Sequence, residues 1–310
     1  MIIKNFFALL ISILLLATAP AYAETYSIDK VDEVADFSGA EAEKFFSTLP
    51  QAKGEYKSSR RPILLEGALN IETDIFVRAL KNPVAYRELN YLFVAGTYKN
   101  YPVVVVRTEQ GLANAAASTA LAIKKFNPVA VINQGTAGGH DPALKIGDII
   151  VGTKSIPLFA IKTTYTKRGE GADITNQELR GTFAYDEATK KFQPYTEYNA
   201  NTELFNMAFA VANTHENFNV VSGVISSSDA WLNTIDYINF LHEKYGSSCE
   251  DMETAAVAQV CQNVGVPFIG IRILSDNNTI KYEYDPSVAK PCQEFVLLVA
   301  EKYIDTFLNR

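Results

Sequence analysis

The sequence predicts an α/β protein, a three-layer αβα sandwich built on a mixed, mostly parallel central sheet. Apolar runs of strand length alternate with helical patterns along nearly the whole chain. Several of those runs end in short segments of glycine and small polar residues, at 133–139, 227–233 and 275–276, where open α/β sheets gather ligand chemistry. With 310 residues, 48% hydrophobic and 20% charged, the chain can bury a large core. No internal repeat or low-complexity tract interrupts it.

The chain opens MIIKNFFALLISILLLATAPAYA, with Lys4 ahead of an apolar stretch and Ala21-Tyr22-Ala23 at its end. That pattern predicts a signal peptide over 1–23, cleaved after Ala23, and a secreted or periplasmic protein. The apolar stretch is shorter than the roughly 20 residues of a membrane-spanning helix. No other stretch could span a bilayer, so no membrane association is expected after cleavage. Residues 24–59 read as a polar N-terminal extension with one helix at 40–49, and 60–310 as the main domain.

Within that domain 62–65 predicts the first core strand, followed by a helix over about 72–80. Residues 92–97 and 103–106 predict a pair of strands, and the Ala-rich 113–126 a helix stopped by Asn127-Pro128. A buried strand at 129–132 leads into 133–139, read as a loop whose three glycines let backbone amides approach a ligand. Its spacing fits neither the dinucleotide nor the P-loop pattern. A strand at 149–151 precedes an aromatic, Thr-rich excursion from 155 to about 201, which predicts a β-rich insertion or a loop over the site. Then come a helix at 204–214, a strand at 220–226, the segment Ser228-Asp229-Ala230-Trp231, and a helix at 237–245.

Met252-Glu253 opens a helix whose Ala255, Ala256, Val257, Val260 and Cys261 make a small apolar face suited to a sheet. Gly265-Val266-Pro267 breaks it, and 268–274 is a buried strand that delivers Ser275 and Asp276 just past its end. A helix over about 288–308 closes the chain. On residue type alone Glu253 is equally a helix-start acid, Asp276 a turn cap and Trp231 a core residue.

A net charge of −7 with scattered Lys and Arg excludes a nucleic-acid surface. His140, His215 and His242 lack metal-ligand spacing, so neither a metal nor a cofactor is expected. Cys249, Cys261 and Cys292 permit at most one bridge within a monomer.

Taken together, the 133–139 segment with Leu144-Lys145-Ile146-Gly147-Asp148, the Ser228–Trp231 segment, Met252-Glu253-Thr254-Ala255 and 272–276 resemble the purine nucleoside phosphorylase and nucleosidase superfamily. They resemble in particular its 5'-methylthioadenosine/S-adenosylhomocysteine nucleosidases. The resemblance runs from about Ile63 to the C-terminus. It implies hydrolysis of the N-glycosidic bond of a purine nucleoside, with a small-molecule substrate and a homodimer. By the same resemblance Asp276, supported by Ser275, is the acid for purine N7, Glu72 activates the attacking water, and Arg272 helps hold that water. Glu253 and Met252 meet the sugar, Thr136, Ala137 and Gly138 line the site, Trp231 stacks on the base, and the backbone near Leu232 reads the base edge.

Those residue types suit the chemistry. Cleavage passes through a ribosyl cation, which calls for an acid at the base and a carboxylate-activated water on the sugar's other face. Two alternatives are a phosphate-dependent phosphorylase, with Arg107 as an anion ligand, and a secreted nucleoside-binding protein without turnover. The phosphorylases' early Gly-Asp-Pro segment is missing, and Glu66-Gly67-Ala68 stands in its place.

Overall fold

The computed structural model describes residues 40–215 and 217–309. The predicted signal peptide and the first part of the N-terminal extension lie outside the described residues. Helix α1 (Ala40–Ser47) precedes strand β1 (Ile63–Gly67), a 3-10 turn (Asn70–Glu72) and α2 (Asp74–Ala79). Three strands follow, β2 (Lys81–Glu88), β3 (Tyr91–Tyr98) and β4 (Tyr101–Arg107), then α3 (Leu112–Phe126) and β5 (Ala130–Gly139). Next are β6 (Ile149–Pro157), the short β7 (Ile161–Thr163), β8 (Gln177–Leu179), β9 (Thr182–Asp186), β10 (Lys191–Tyr195) and β11 (Tyr198–Asn199). The chain continues through α4 (Thr202–Ala212), β12 (Val220–Ser227), α5 (Ile235–Tyr245), β13 (Ser247–Asp251), α6 (Thr254–Val264), β14 (Phe268–Asp276) and α7 (Ala289–Tyr303).

One mixed sheet organises the molecule. From β5 it runs outward through β1, β4, β3 and β2, parallel across β5–β1–β4 and antiparallel beyond. On the other side β5 pairs with β14 in parallel and with β13 antiparallel, and β14, β6, β12 and β13 pair in turn, so the pairings return to β5. The sheet therefore curls into a closed circuit, and three strand ends meet at Gly138 of β5.

Alternate residues of the central strands feed two cores, as a sheet covered on both faces requires. Ile63, Leu65, Val103, Val105, Ile132, Ile269, Ile271 and Ile273 pack with α2, α4 and α7, while Leu64, Val104, Val106 and Val131 pack with α3 and α6. The small face of α6, with Val257, Ala258 and Cys261 buried, lies against α3 and the sheet as its residue sizes predict. Asn127 stops α3 in the left-handed region at φ 48° ahead of Pro128.

Three local readings change. Residues 133–139 are not a loop, because β5 runs to Gly139 with β14 paired beside it to Gly138. Ser275 and Asp276 are the last residues of β14, not the first beyond it. Residues 247–251, which carry no apolar periodicity, form β13 with all five side chains buried. Strand β2, at the sheet's edge, also has no apolar signature and contains Pro83, which an edge strand tolerates. The excursion is β-rich, with β7–β8 and β9–β10 as separate two-stranded sheets. Cys249, Cys261 and Cys292 are free and buried.

Candidate active site

A cavity of about 610 Å³, counting its open mouth, lies over the ends of β1, β5, β13 and β14. It is lined by Glu72, Thr136, Ala137, Gly138, Trp231, Met252, Glu253, Ser275 and Asp276, nine of the eleven residues singled out in the sequence. Ala68, Leu69, Gln110, Ala230, Glu250, Asp251 and Tyr284 complete the wall.

Glu72 ends the 3-10 turn after β1, and its carboxylate is fixed from two sides. Oε2 accepts from the backbone amides of Ala68 and Leu69 at 3.0 and 3.1 Å, and Oε1 from the Thr136 amide and hydroxyl at 2.9 and 3.1 Å. Gly135 makes that approach possible, since a Cβ there would lie 3.0 Å from Glu72 Oε1. Glu253, at the start of α6, accepts from the amides of Gly111 at 3.0 Å and Met252 at 3.3 Å. Burial beside Asp251 pushes its pKa up.

Asp276 is 6% exposed, and burial raises its pKa to about 6, against a hydrogen bond from the Ser275 hydroxyl at 3.0 Å. A carboxyl with that pKa holds a proton in part near neutrality, as a donor to a leaving base must. Trp231 is 50% exposed, with its ring 5.5 Å from that of Tyr284. That exposure sets it apart from the buried core and leaves the indole on the cavity wall.

Two expected residues do not line the cavity. Arg272 is fully buried beneath it, where Nε donates to Asp251 at 2.6 Å, Nη1 to the carbonyls of Asn133 and Ile271, and Nη2 to Asn133 Oδ1 at 2.6 Å. Its donors are committed to tying β13, β14 and β5 together, so it cannot hold the attacking water. It acts on the site as a buried positive charge felt by Glu72 and Glu253. The amide of Leu232 is likewise engaged, by Glu250 Oε1 at 2.8 Å, and Leu232 is not among the residues that line the cavity.

The sequence reading missed Glu250 and Asp251 because 247–251 carries no apolar periodicity and was given no element of its own before the helix that Met252-Glu253 opens. Placing them at a strand end would have marked them as candidates. Tyr284 sits in a polar loop with no periodicity to mark it.

A family model, the phosphorylase superfamily, matches residues 65–305, and the chain belongs to that superfamily. Among its relatives, the 5'-methylthioadenosine/S-adenosylhomocysteine nucleosidase of Bacillus pumilus is 32% identical over 215 residues, covering 69% of this chain and 85% of that protein. The nucleosidase of the same name from a Geobacillus species is 29% identical over 247 residues, 76% of this chain and 97% of that one. Two solved structures share the fold. The Neisseria meningitidis nucleosidase in complex with methylthio-immucillin-A has a TM-score of 0.63 at 24% identity, covering 78% of this chain and 99% of its own. The futalosine hydrolase of Helicobacter pylori has a TM-score of 0.62 at 22% identity, covering 78% and 98%.

Proposed function

We propose that the chain hydrolyses the N-glycosidic bond of a purine nucleoside of the 5'-methylthioadenosine/S-adenosylhomocysteine type and releases the free base. The observation that carries this reading is the kind of side chain on the cavity wall. Five carboxyl side chains line it, from Glu72, Glu250, Asp251, Glu253 and Asp276, and no Lys, Arg or His is among its lining residues. A phosphate dianion needs cationic partners, whereas a water nucleophile needs a carboxylate. Arg107, the one phosphate ligand suggested by the sequence, is held by Glu109 and Asn70 at 2.9 Å each.

In this reading the sugar lies between Glu72 and Glu253, with the water at Glu72 and N7 of the base at Asp276. Proton donation at N7 withdraws electrons from the glycosidic bond, and the Glu72 carboxylate offsets the positive charge that develops on the sugar. A fold retained only for binding has no need of a carboxyl tuned like that of Asp276. The test is to incubate the protein with 5'-methylthioadenosine with and without phosphate. Adenine and the free thiosugar in both samples support hydrolysis, and a sugar 1-phosphate formed only with phosphate refutes it.

We also infer that the protein is exported and works as a homodimer. The leader pattern of 1–23 supports export, and none of the described helices is long and apolar enough to cross a membrane. N-terminal sequencing of the secreted or periplasmic fraction should begin at Glu24.

A further inference from the structure

One carboxyl of the cavity wall turns its oxygens into the protein. Glu250, 6% exposed, accepts from the Leu232 amide with Oε1 at 2.8 Å, and its Oε2 is buried without a hydrogen-bond partner among the described residues. His140 is in the same state, with Nδ1 on the Ser247 hydroxyl at 2.8 Å and Nε2 buried and unpartnered. These two atoms face each other at 3.9 Å, just beyond hydrogen-bond reach. Buried polar groups are as a rule satisfied, and each can supply what the other lacks.

The hydroxyls around His140 decide where the hydrogens sit. Ser226 donates to Ser247 Oγ at 2.8 Å, and Ser247 gives its own hydrogen to the Cys249 carbonyl at 3.2 Å. His140 Nδ1 is therefore the donor to Ser247 Oγ, and Nε2 is left as a bare acceptor. Burial agrees with a neutral ring, its pKa lowered to about 3. A bare acceptor opposite Oε2 calls for a protonated carboxyl, and burial raises the Glu250 pKa to about 8.

That carboxyl holds the segment between β12 and α5. Residues 228–234 belong to no helix or strand. Side chains tether them at three points: Asp229 Oδ1 accepts from the Leu112 amide at 2.8 Å, the Leu232 amide donates to Glu250, and Asn233 Oδ1 accepts from Asn278 at 2.8 Å. The first and last are exposed, so of the three only the Glu250 tether is rooted in a buried side chain. Trp231 lies next to it and is half exposed, so the neighbouring backbone sets its place on the wall more than packing does.

We propose that Glu250 is a positioning residue: its protonated carboxyl donates from Oε2 to His140 Nε2, accepts the Leu232 N–H at Oε1, and so holds Trp231 in place for the base. This assignment rests on the reading in which Trp231 stacks on a purine.

Trp231 is the chain's only tryptophan, so its fluorescence reports on this segment alone. Glu250→Leu leaves the Leu232 N–H and His140 Nε2 without partners. It should increase acrylamide quenching of Trp231 about twofold and raise KM for 5'-methylthioadenosine about tenfold with kcat within about threefold, as loss of a uniform stacking contact does. Glu250→Gln should return both readouts to near wild-type values, because its oxygen accepts the Leu232 N–H and its NH2 faces His140 Nε2. A measurement on the wild-type protein depends on no variant folding: long-range nitrogen NMR of the imidazoles should show His140 neutral with its hydrogen on Nδ1. Unchanged quenching in a folded Glu250→Leu variant overturns the proposal, as does a Glu250→Gln variant no better than Glu250→Leu. So does a His140 that is charged or carries its hydrogen on Nε2. The expected quenching and rescue in a protein that cleaves no 5'-methylthioadenosine refute the hydrolase reading and leave the tether standing.

Discussion

Asp276 and Glu66 show how burial gives two carboxyls opposite uses. Asp276 is raised to about 6 on a cavity wall, so the fraction holding a proton falls as pH rises through that value. If that proton goes to N7, kcat/KM should decline above pH 6, and Asp276→Asn should lose on the order of 10²-fold in kcat while binding nucleoside nearly normally. Steady-state pH profiles of both proteins check this, and near-normal turnover in the variant would place leaving-group activation elsewhere. Glu66 lies outside the cavity, fully buried with Thr119 and Asn133 as partners, and its pKa is raised to about 8, chiefly by desolvation. A carboxyl raised on folding binds more protons in the native state than unfolded, so its contribution is complete below pH 4.5 and is lost as pH climbs through 8. Glu66→Gln should accordingly lose less Tm than wild type between pH 6 and pH 9 in thermal melts. Trp231 differs from both because it is half exposed and holds up no core. Trp231→Ala should weaken purine binding by about 1–3 kcal/mol with Tm almost unchanged. A large fall in Tm would return the indole to a packing role.

At the scale of elements, legibility followed apolar periodicity. The α3 helix and strands β1, β3, β4 and β14 carry it and were placed within a few residues, and the glutamate, aspartate and tryptophan beside them came with family motifs. The polar strand β13 carries none. Its residues are buried because they satisfy one another and their neighbours: Ser247 with His140, Ser248 with the Val224 amide, Asp251 with Arg272. No one-dimensional pattern records such pairings, so Glu250 went unseen and Arg272 was assigned to a water it cannot reach. The glycines of β5 misled in another way. They suggested a loop, but within the strand they clear space for side chains from its neighbours, Glu72 at Gly135 and the Asp276 and Glu250 pair at Gly138. Gly138 does not have positive φ, so Gly138→Ala adds a methyl group without backbone strain. It should cut kcat/KM about tenfold or more and shift Tm by only a few degrees, a split that steady-state kinetics and a melt resolve. A fall in both together would mean that the glycine serves folding instead.

For the whole molecule, the closed circuit of β5, β14, β6, β12 and β13 explains why residues distant in sequence share one cavity, and it leaves the excursion after β6 free for another task. In the β9–β10 hairpin Phe192 stands opposite Tyr185, and Pro194 opposite Phe183, so one face carries four apolar side chains. Phe183 is 49% exposed, Tyr185 48% and Phe192 67%, and the Tyr185 and Phe192 rings are 5.4 Å apart. Contiguous exposed aromatics are uncommon on monomers and enriched at interfaces. The hairpin face is therefore the surface on which we expect two copies to meet. Light scattering at micromolar concentration should give twice the mass of one chain. Tyr185→Asp combined with Phe192→Asp should give single chains, because placing carboxylates opposite each other across a two-fold contact costs more than the aromatic area contributes. The substitutions are at exposed positions outside the core, so the variant should keep its Tm. A dimer that survives both changes would place the contact elsewhere, and a wild-type monomer with full turnover would show that the cavity needs no second copy.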